Sequence, residues 1–290
     1  MQICGHGNVR ERLHRIASLS VMPQSFLFSG PRRLGKFLVA LEFARALNGS
    51  SEEVEYAGEH DILVIGRTDN VSTDASKASV LLSVEDIRKA EVFLSRFPIA
   101  GRYRILIIDN AERLTISAEN ALLKLLEEPN STSLIILITP LPGRLLSTVR
   151  SRLFECVFNP VSVEDIRVFF PNIMIPEFFL SLGLPGLIAS VANNPANFDE
   201  QKKLLQKLFQ LSRLKWSERV MLAEALARTP AETLDILEAW IVGLVRQQNK
   251  SPSFSIAFAE FIEAAVETTD RIARGEGNPR SLLEKLFTRA

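Results

Sequence analysis

A phosphate-binding loop is the first feature of this sequence that could carry chemistry. The segment from Gly30 to Lys36 has the G-x-x-x-x-G-K spacing of a Walker A motif, and it lies between a strand-like and a helix-like run. In such a loop, backbone N–H groups and a helix N-terminus hold phosphates, and the lysine reaches the terminal ones. Gly30, Gly35 and Lys36 are therefore candidate nucleotide-binding residues.

Two positions that ATP hydrolysis needs carry unsuitable side chains. Phe37 follows the lysine, where a Ser or Thr hydroxyl would bind Mg²⁺. The apolar run that starts at Arg104 ends in Asp109, as a Walker B segment does, but the next residue is Asn110, whose amide has no useful basicity. Asp109 either helps to bind Mg²⁺ or caps a neighbouring turn, and the sequence leaves both readings open. We expect Mg²⁺-ATP binding to be weak or absent.

Composition and charge indicate an ordinary soluble globular protein. Hydrophobic residues make up 47% of the chain, and 34 basic side chains balance 34 acidic ones, which argues against bulk electrostatic capture of nucleic acid. The longest apolar run, around Leu134–Ile138, is far shorter than the roughly 20 residues that cross a bilayer, and no signal peptide is evident. We therefore expect a cytoplasmic protein without membrane contact. Cys4 and Cys156 are predicted to be buried thiols, and the three histidines are scattered, so no metal site is expected.

Alternating strand-like and helix-like segments predict a parallel α/β fold in the first half of the chain. The predicted strands are Ser25–Phe28, Ile62–Ile65, Ile105–Ile108, Leu134–Ile138 and Phe154–Phe158. The predicted helices between them are Phe37–Leu47, Val84–Leu94 after the N-cap Ser83, and Ala118–Glu127. After residue 160 the strand pattern disappears, and the rest is predicted to be all α.

Several motifs, in the same order, resemble those of bacterial clamp-loader subunits of the delta-prime and gamma/tau type, members of the AAA+ superfamily. Gln24–Phe37 is similar to the family's HAYLFSGPRGVGKT, and Val84–Ala90 to its VDQIREL. Most specific is Ala118–Pro129, which nearly reproduces NALLKTLEEP and follows the similar segment Asn110–Thr115. The resemblance implies a RecA-like P-loop domain at 1–158, a small helical lid at 159–200 and a helical collar domain at 201–290.

The same resemblance gives Arg152 a role on another subunit. Leu145–Leu153 looks like the family's LLPTIRSRC, whose final arginine acts in trans on the ATP of the neighbouring subunit, and Arg152 holds that position. A guanidinium suits this role because it stays charged and can fork onto phosphate oxygens. The alternative is a surface arginine paired with a nearby acid.

Four positions depart from the pattern of the active members. Arg33 stands where those members have a glycine that permits positive φ or close approach to phosphate, and Phe37 and Asn110 replace the metal ligand and the base. Leu187 replaces the lid arginine that senses nucleotide. The family's four-cysteine zinc module is also missing, since Asn48–Glu59 contains no cysteine. We therefore expect no zinc, and we expect a shortened loop in place of the module.

The resemblance, with these departures from it, implies a delta-prime-like stator subunit of the DNA polymerase III clamp loader that is not an enzyme by itself. Its expected partners are the gamma/tau and delta subunits and, through the complex, the sliding clamp and primer-template DNA. One alternative is an active gamma/tau-like ATPase that tolerates Phe37. Another is an AAA+-derived interaction protein outside replication.

Overall fold

A computed structural model of the chain describes residues 2–19, 21–49, 60–67, 81–171, 177–193, 195–228, 230–250, 256–273 and 275–289. These residues form two compact units, one within residues 1–169 and one from residue 170 onward. The predicted shortened loop at 48–59 falls largely on residues 50–59, outside the described part. The elements of the first unit are α1 Gly7–Ala17, β1 Ser25–Ser29, α2 Lys36–Asn48, β2 Ile62–Ile65, α3 Val84–Leu94, β3 Arg104–Ile108, α4 Ile116–Glu127, β4 Ser133–Thr139, α5 Ser147–Arg150, β5 Phe154–Val157 and α6 Val163–Phe169.

The five strands form one parallel sheet with the order β2-β3-β4-β1-β5. The prediction of a parallel α/β fold is confirmed, and each strand lies within one residue of its predicted bounds. Every residue of β1, β3 and β4 is buried, which explains their continuous apolar runs. Because the strands are parallel, the segments that follow β1, β3 and β4 lie at the same edge of the sheet.

Local sequence signals set the ends of the helices. Ser83 caps α3 as predicted, in a capping box in which its backbone N–H and its hydroxyl both donate to the Asp86 carboxylate at 2.9 Å. Helix α2 ends at Asn48, and the following Gly49 has φ 70°, the left-handed conformation that glycine commonly adopts after a helix. Helix α4 begins two residues earlier than predicted, because the Thr115 hydroxyl accepts the Ala118 N–H at 3.2 Å.

The core of the first unit lies between the sheet and helices α3 and α4, and includes Leu106, Ile108, Leu122 and Leu137. Both cysteines are buried, as predicted. Burial raises the pKa of both thiols to about 11, so neither is a ready nucleophile at neutral pH.

The described residues of the second unit form helices joined by turns, with no strand among them, which confirms the predicted all-α second half. Trp240 lies in its core, edge-on to Phe261 at 5.7 Å between ring centroids, and Leu205 and Leu208 are also buried in this unit. The proposed division into lid and collar at residue 200 stays a prediction. None of the helices that the structure describes has the length and apolarity needed to span a bilayer. The helices are α7 Glu177–Leu182, α8 Pro185–Asn193, α9 Pro195–Phe209, α10 Trp216–Ala227, α11 Pro230–Lys250, α12 Ile256–Ala273 and α13 Pro279–Phe287.

Candidate nucleotide site and arginine segment

The predicted phosphate loop connects β1 to α2, in the strand, loop, helix order that the motif requires. Gly30 has φ 133°, and a Cβ added there would lie 2.2 Å from the Phe158 carbonyl oxygen, so only glycine fits. Gly35 has φ 83° and precedes the first residue of α2. Arg33 has φ 63°, the left-handed conformation that a glycine would adopt freely and that costs other residues about 1–2 kcal/mol.

Lys36 is directed at carbonyl groups of its own loop. Its side chain is buried, and its Nζ donates to the carbonyl oxygens of Gly30 and Pro31 at 2.5 and 2.6 Å. In an active site of this kind the lysine reaches the terminal phosphates of the nucleotide. A nucleotide would therefore have to compete with these two carbonyl groups for the ammonium.

Phe37 occupies the position of the metal-binding hydroxyl and is covered by an arginine. Its ring is buried, and the guanidinium of Arg67, which follows β2, lies 3.9 Å above the ring centroid. This is close enough for a favourable cation–π interaction. Mg²⁺ takes oxygen ligands, so an aromatic ring beneath a guanidinium does not fit this metal.

Asp109 lies at the end of β3 and caps the turn that follows. Its Oδ1 accepts the Asn110 N–H at 3.0 Å, which is the turn-capping contact that one reading of the sequence expected. Burial raises the pKa of this carboxyl, and the charge of Glu112 adds to the rise, while the Asn110 N–H and the charges of Arg67 and Lys36 oppose it. Together with the ring of Phe37, this carboxyl does not make a site suited to Mg²⁺.

A buried polar network joins the phosphate loop to the ends of β3 and β4. Arg32 donates to the Asn110 side-chain oxygen at 2.7 Å and forms an ion pair with Glu112 at 2.6 Å. The second oxygen of Glu112 accepts the Thr139 hydroxyl at 2.9 Å, and the Asn110 amide nitrogen donates to the Gly66 carbonyl at 3.1 Å. Both ends of the Asn110 amide are therefore engaged within the chain. The sequence did not reveal this network, because Arg32 and Glu112 are 80 positions apart.

A surface pocket of about 580 Å³ lies between the N-terminal segment and the residues that follow β5. His6, one of its lining residues, is hydrogen-bonded to the Leu34 carbonyl through Nε2 at 2.9 Å and packs edge-on against Phe158 at 5.1 Å. Burial lowers the pKa of His6, so its ring is neutral at neutral pH. Other residues that line the pocket are Arg10, Val157, Asn159, Val161 and Asp165.

Arg152 lies on the surface between α5 and β5 and is paired with an acid. Its Nη2 is 2.8 Å from the Oε1 of Glu127, at the end of α4, and its Nη1 donates to the Thr148 carbonyl at 2.7 Å. Both side chains are partly exposed, at 36% for Arg152 and 51% for Glu127. The intrachain pair that the sequence offered as an alternative is thus present.

Arg152 and the phosphate loop lie at opposite ends of the sheet. Strands β1 and β5 are parallel, with Phe26 beside Phe154. Arg152 precedes β5, whereas Gly30 follows β1, so at least about 10 Å of strand separates them. Any phosphate that Arg152 contacts would therefore belong to another molecule.

A buried glutamate anchors the segment that carries Arg152. Glu119 of α4 is 4% exposed, and its Oε2 accepts the N–H of Leu146, the residue before α5, at 2.7 Å. Burial raises the pKa of Glu119, and the Leu146 N–H opposes the rise. Val149 of α5 is fully buried in the core. The guanidinium therefore extends from a firmly held backbone, which the motif alone did not indicate.

Leu187 is an apolar residue that is buried in the second unit. Leu187, which the resemblance placed at the position of a nucleotide-sensing arginine, is 5% exposed and lies near the start of α8. Its side chain belongs to the core of that unit, so it offers no group for a phosphate.

Comparison with known proteins identifies the family. Residues 5–162 match the model of the family described as "DNA polymerase III, delta subunit". The chain is 28% identical over 213 residues to the delta-prime subunit of DNA polymerase III from Bacillus subtilis, covering 66% of this chain and 60% of that protein. It is 30% identical over 183 residues to the gamma/tau subunit from Mycobacterium bovis, covering 61% of this chain. The match spans only 31% of the gamma/tau protein.

Solved structures show the same fold. A gamma subunit-related protein of DNA polymerase III from Thermotoga maritima has a TM-score of 0.50 at 20% identity, covering 96% of this chain and 97% of that one. The Holliday junction branch migration motor RuvB from Thermotoga maritima also has a TM-score of 0.50 at 20% identity, covering 84% of this chain and 88% of that one. The fold is thus the RecA-like P-loop fold of AAA+ proteins, followed by helices, as predicted. With more than half of its residues matched by the family model, the chain belongs to the delta subunit family of DNA polymerase III, the clamp-loader family that includes delta-prime and gamma/tau.

Proposed function

We propose that this chain is a delta-prime-like subunit of a DNA polymerase III clamp loader that does not hydrolyse ATP and that lends Arg152 to ATP bound by a neighbouring subunit. The observation that carries the proposal is the state of the phosphate loop. Phe37 lies under Arg67 at the metal-ligand position, and both ends of the Asn110 amide are engaged at the position of the base. Neither group can assist an attacking water.

Glu112 does not replace the missing base. Glu112 lies two residues beyond Asn110, but its side chain is 4% exposed and both of its oxygens are engaged, by Arg32 and by Thr139. A general base needs an accessible oxygen within hydrogen-bond reach of the water. Releasing Glu112 would break a buried ion pair, which is strongly unfavourable.

The most direct test of the proposal is whether the chain assembles with related subunits. The chain, mixed with gamma/tau and delta subunits from the same organism, is expected to join a complex whose mass by native mass spectrometry includes the mass of this chain. A chain that remains separate from these subunits under the conditions in which they assemble would favour an interaction protein outside replication.

The isolated chain is expected to show no ATP turnover and weak or no Mg²⁺-ATP binding, because the metal ligand and base are absent and Lys36 is bonded to its own loop. Turnover assays and isothermal titration calorimetry, on the wild type and on Lys36→Ala, measure this. Brisk turnover, or micromolar binding that Lys36→Ala abolishes, would contradict the proposal. It would favour an active gamma/tau-like ATPase, to which the 30% identity with the mycobacterial gamma/tau protein also points.

The ion pair between Arg152 and Glu127 is expected to hold the guanidinium back from the neighbouring nucleotide. Because such exposed pairs contribute about 0–1 kcal/mol, Glu127→Gln in the assembled complex is expected to raise DNA-stimulated ATP hydrolysis by up to about fivefold. Glu128→Gln, at the exposed residue next in the chain, is the matched control and should leave the rate unchanged. A slower rate with Glu127→Gln, or the same increase with the control, would show that this pair does not restrain Arg152.

A further inference from the structure

The helix that precedes Arg152 is too short to hold its own shape. Helix α5, Ser147–Arg150, has only four residues. A helix of one turn is unstable by itself, because its few internal hydrogen bonds do not offset the lost freedom of the backbone. Its shape and direction therefore depend on contacts with neighbouring elements. Those contacts decide where the guanidinium of Arg152 lies.

A series of hydrogen bonds connects a buried carboxylate of α4 to the backbone of Arg152. The Oε2 of Glu119 accepts the N–H of Leu146 at 2.7 Å. The Leu146 carbonyl accepts the N–H of Val149 at 3.0 Å, and the Val149 carbonyl accepts the N–H of Arg152 at 3.1 Å. Three successive hydrogen bonds thus lead from the core of the unit to the residue that carries the guanidinium.

Apolar contacts hold this segment against α4 without setting its direction. Leu145 and Val149 are 4% and 0% exposed, and they belong to the same core as Leu122 of α4. Apolar attraction is not directional, whereas a hydrogen bond weakens steeply when its angle departs from linearity. The bond from Leu146 to Glu119 therefore gives the packed segment a fixed orientation.

The position of Glu119 calls for a hydrogen-bond acceptor rather than for a charge. Glu119 lies three residues before Leu122 and seven before Leu126, on the buried face of α4. Burial of a carboxylate is costly, and it raises the pKa of Glu119. Among the residues that the structure describes, its polar partner is the Leu146 N–H. A glutamine would accept the same N–H without a buried charge.

We propose that Glu119 is a positioning residue for Arg152, which sets the direction in which the guanidinium extends toward ATP on the neighbouring subunit. The inference rests on the proposed function, which names Arg152 but no residue that directs it. Glu119 lies in the core and acts only through the backbone of the segment. Its effect is large because a misplacement of about 1 Å at a reacting centre can cost about 10²-fold in rate.

The two acids of α4 that contact this segment have opposite expected effects. Glu127 pairs with the guanidinium itself, so it competes with the neighbouring phosphates. Glu119 holds the backbone, so it keeps the guanidinium in reach of those phosphates. Removing Glu127 is expected to speed hydrolysis, whereas removing Glu119 is expected to slow it.

The first test compares Glu119→Leu with Glu119→Gln in the reconstituted complex. DNA-stimulated single-turnover hydrolysis is expected to slow by up to about 10²-fold with Glu119→Leu and to stay close to the wild-type rate with Glu119→Gln. The KM for ATP should change little, since an arginine that acts on the transition state alters kcat. Ile87→Val, which removes one methyl group from the same core at α3, is the control for lost packing and should leave the rate unchanged.

A second variant removes the donor instead of the acceptor. Leu146 has φ −52°, close to the value that proline fixes, and Leu145 before it has the extended backbone that a following proline requires. Leu146→Pro therefore keeps the course of the chain and deletes the N–H that Glu119 accepts. It is expected to slow hydrolysis as Glu119→Leu does, and it serves in place of Glu119→Leu if that variant does not fold.

A double variant separates positioning from general stability. Glu119→Leu added to Arg152→Ala is expected to cause no further loss of rate, because Glu119 acts through Arg152. A further loss in that background would overturn the inference, and so would wild-type rates with both Glu119→Leu and Leu146→Pro. Loss of assembly by both single variants would overturn it too, because the role of Glu119 would then be structural. An unchanged rate with Arg152→Ala would instead overturn the arginine finger of the proposed function.

Discussion

Arg152→Ala in the assembled complex is expected to slow ATP hydrolysis at the neighbouring site by about 10³–10⁵-fold, the effect typical of an arginine finger. The physical reason is that the transition state spreads negative charge over the phosphoryl oxygens and a forked guanidinium neutralises it. In the single chain, Arg152 is held by Glu127 and by the Thr148 carbonyl, from a segment that Glu119 anchors. Exchanging one exposed carboxylate for phosphate oxygens requires no movement of that segment.

Single-turnover hydrolysis by the reconstituted complex, in the presence of primed DNA, measures this effect. Arg150→Ala, which removes an exposed arginine of the same segment, is the control and should leave the rate close to the wild type. Arg152→Lys is expected to restore only a small part of the loss, because an ammonium keeps the charge but lacks the fork. An unchanged rate with Arg152→Ala would remove the arginine finger from the proposed function and leave only a structural role for this chain.

Asp61→Ala is expected to lower the free energy of unfolding by about 3–5 kcal/mol, the usual effect of removing one partner of a buried ion pair. The variant leaves Arg104 buried without its carboxylate and leaves the N–H groups of Ile99, Ala100 and Gly101 without their acceptor. Urea unfolding at pH 7 measures the loss. Glu91→Ala, at an exposed residue of α3, is the control and should change the free energy by less than about 0.5 kcal/mol.

The effect of Asp61 should depend on pH in a definite direction. Burial alone would raise the pKa of this carboxyl, but the three N–H groups and Arg104 outweigh it, and the pKa lies below 3.8 in the folded chain. The ionised carboxylate therefore adds stability above pH 3.8, and that contribution is lost as the pH falls through the lowered pKa. The difference between wild type and Asp61→Ala should shrink in acid. A difference that stays constant from pH 7 to pH 3 would contradict the assignment.

Local patterns in the sequence were sufficient to predict the parallel sheet and the phosphate loop. Buried strands of a parallel sheet have continuous apolar sequences, and the spacing of Gly30, Gly35 and Lys36 depends only on the loop itself. The loss of glycine at position 33 likewise predicted a strained backbone, and Arg33 has the positive φ expected there. Each of these features is set by residues close together in the chain.

The polar networks could not be predicted, because they join residues that are distant in the chain. Arg32 meets Glu112 across 80 positions, and Asp61 meets the loop at Ala100 across 39. No spacing rule relates such partners, since their distance depends on how the strands are ordered in the sheet. Arg67 was equally unforeseen: nothing in the sequence indicated that its guanidinium would cover Phe37.

The close contact between Gly30 and the Phe158 backbone affects how family members that have lost ATP hydrolysis can be recognised. A side chain at this position would collide with the backbone of Phe158, whether or not any phosphate is ever bound, and Gly66 meets the Asp109 carbonyl in the same way. Folding alone thus requires glycine at position 30, which motif searches take as a sign of nucleotide use. The glycine pattern of the phosphate loop can therefore remain in a chain that has lost ATP hydrolysis. The residues at positions 33, 37 and 110 are better indicators of whether a chain hydrolyses ATP.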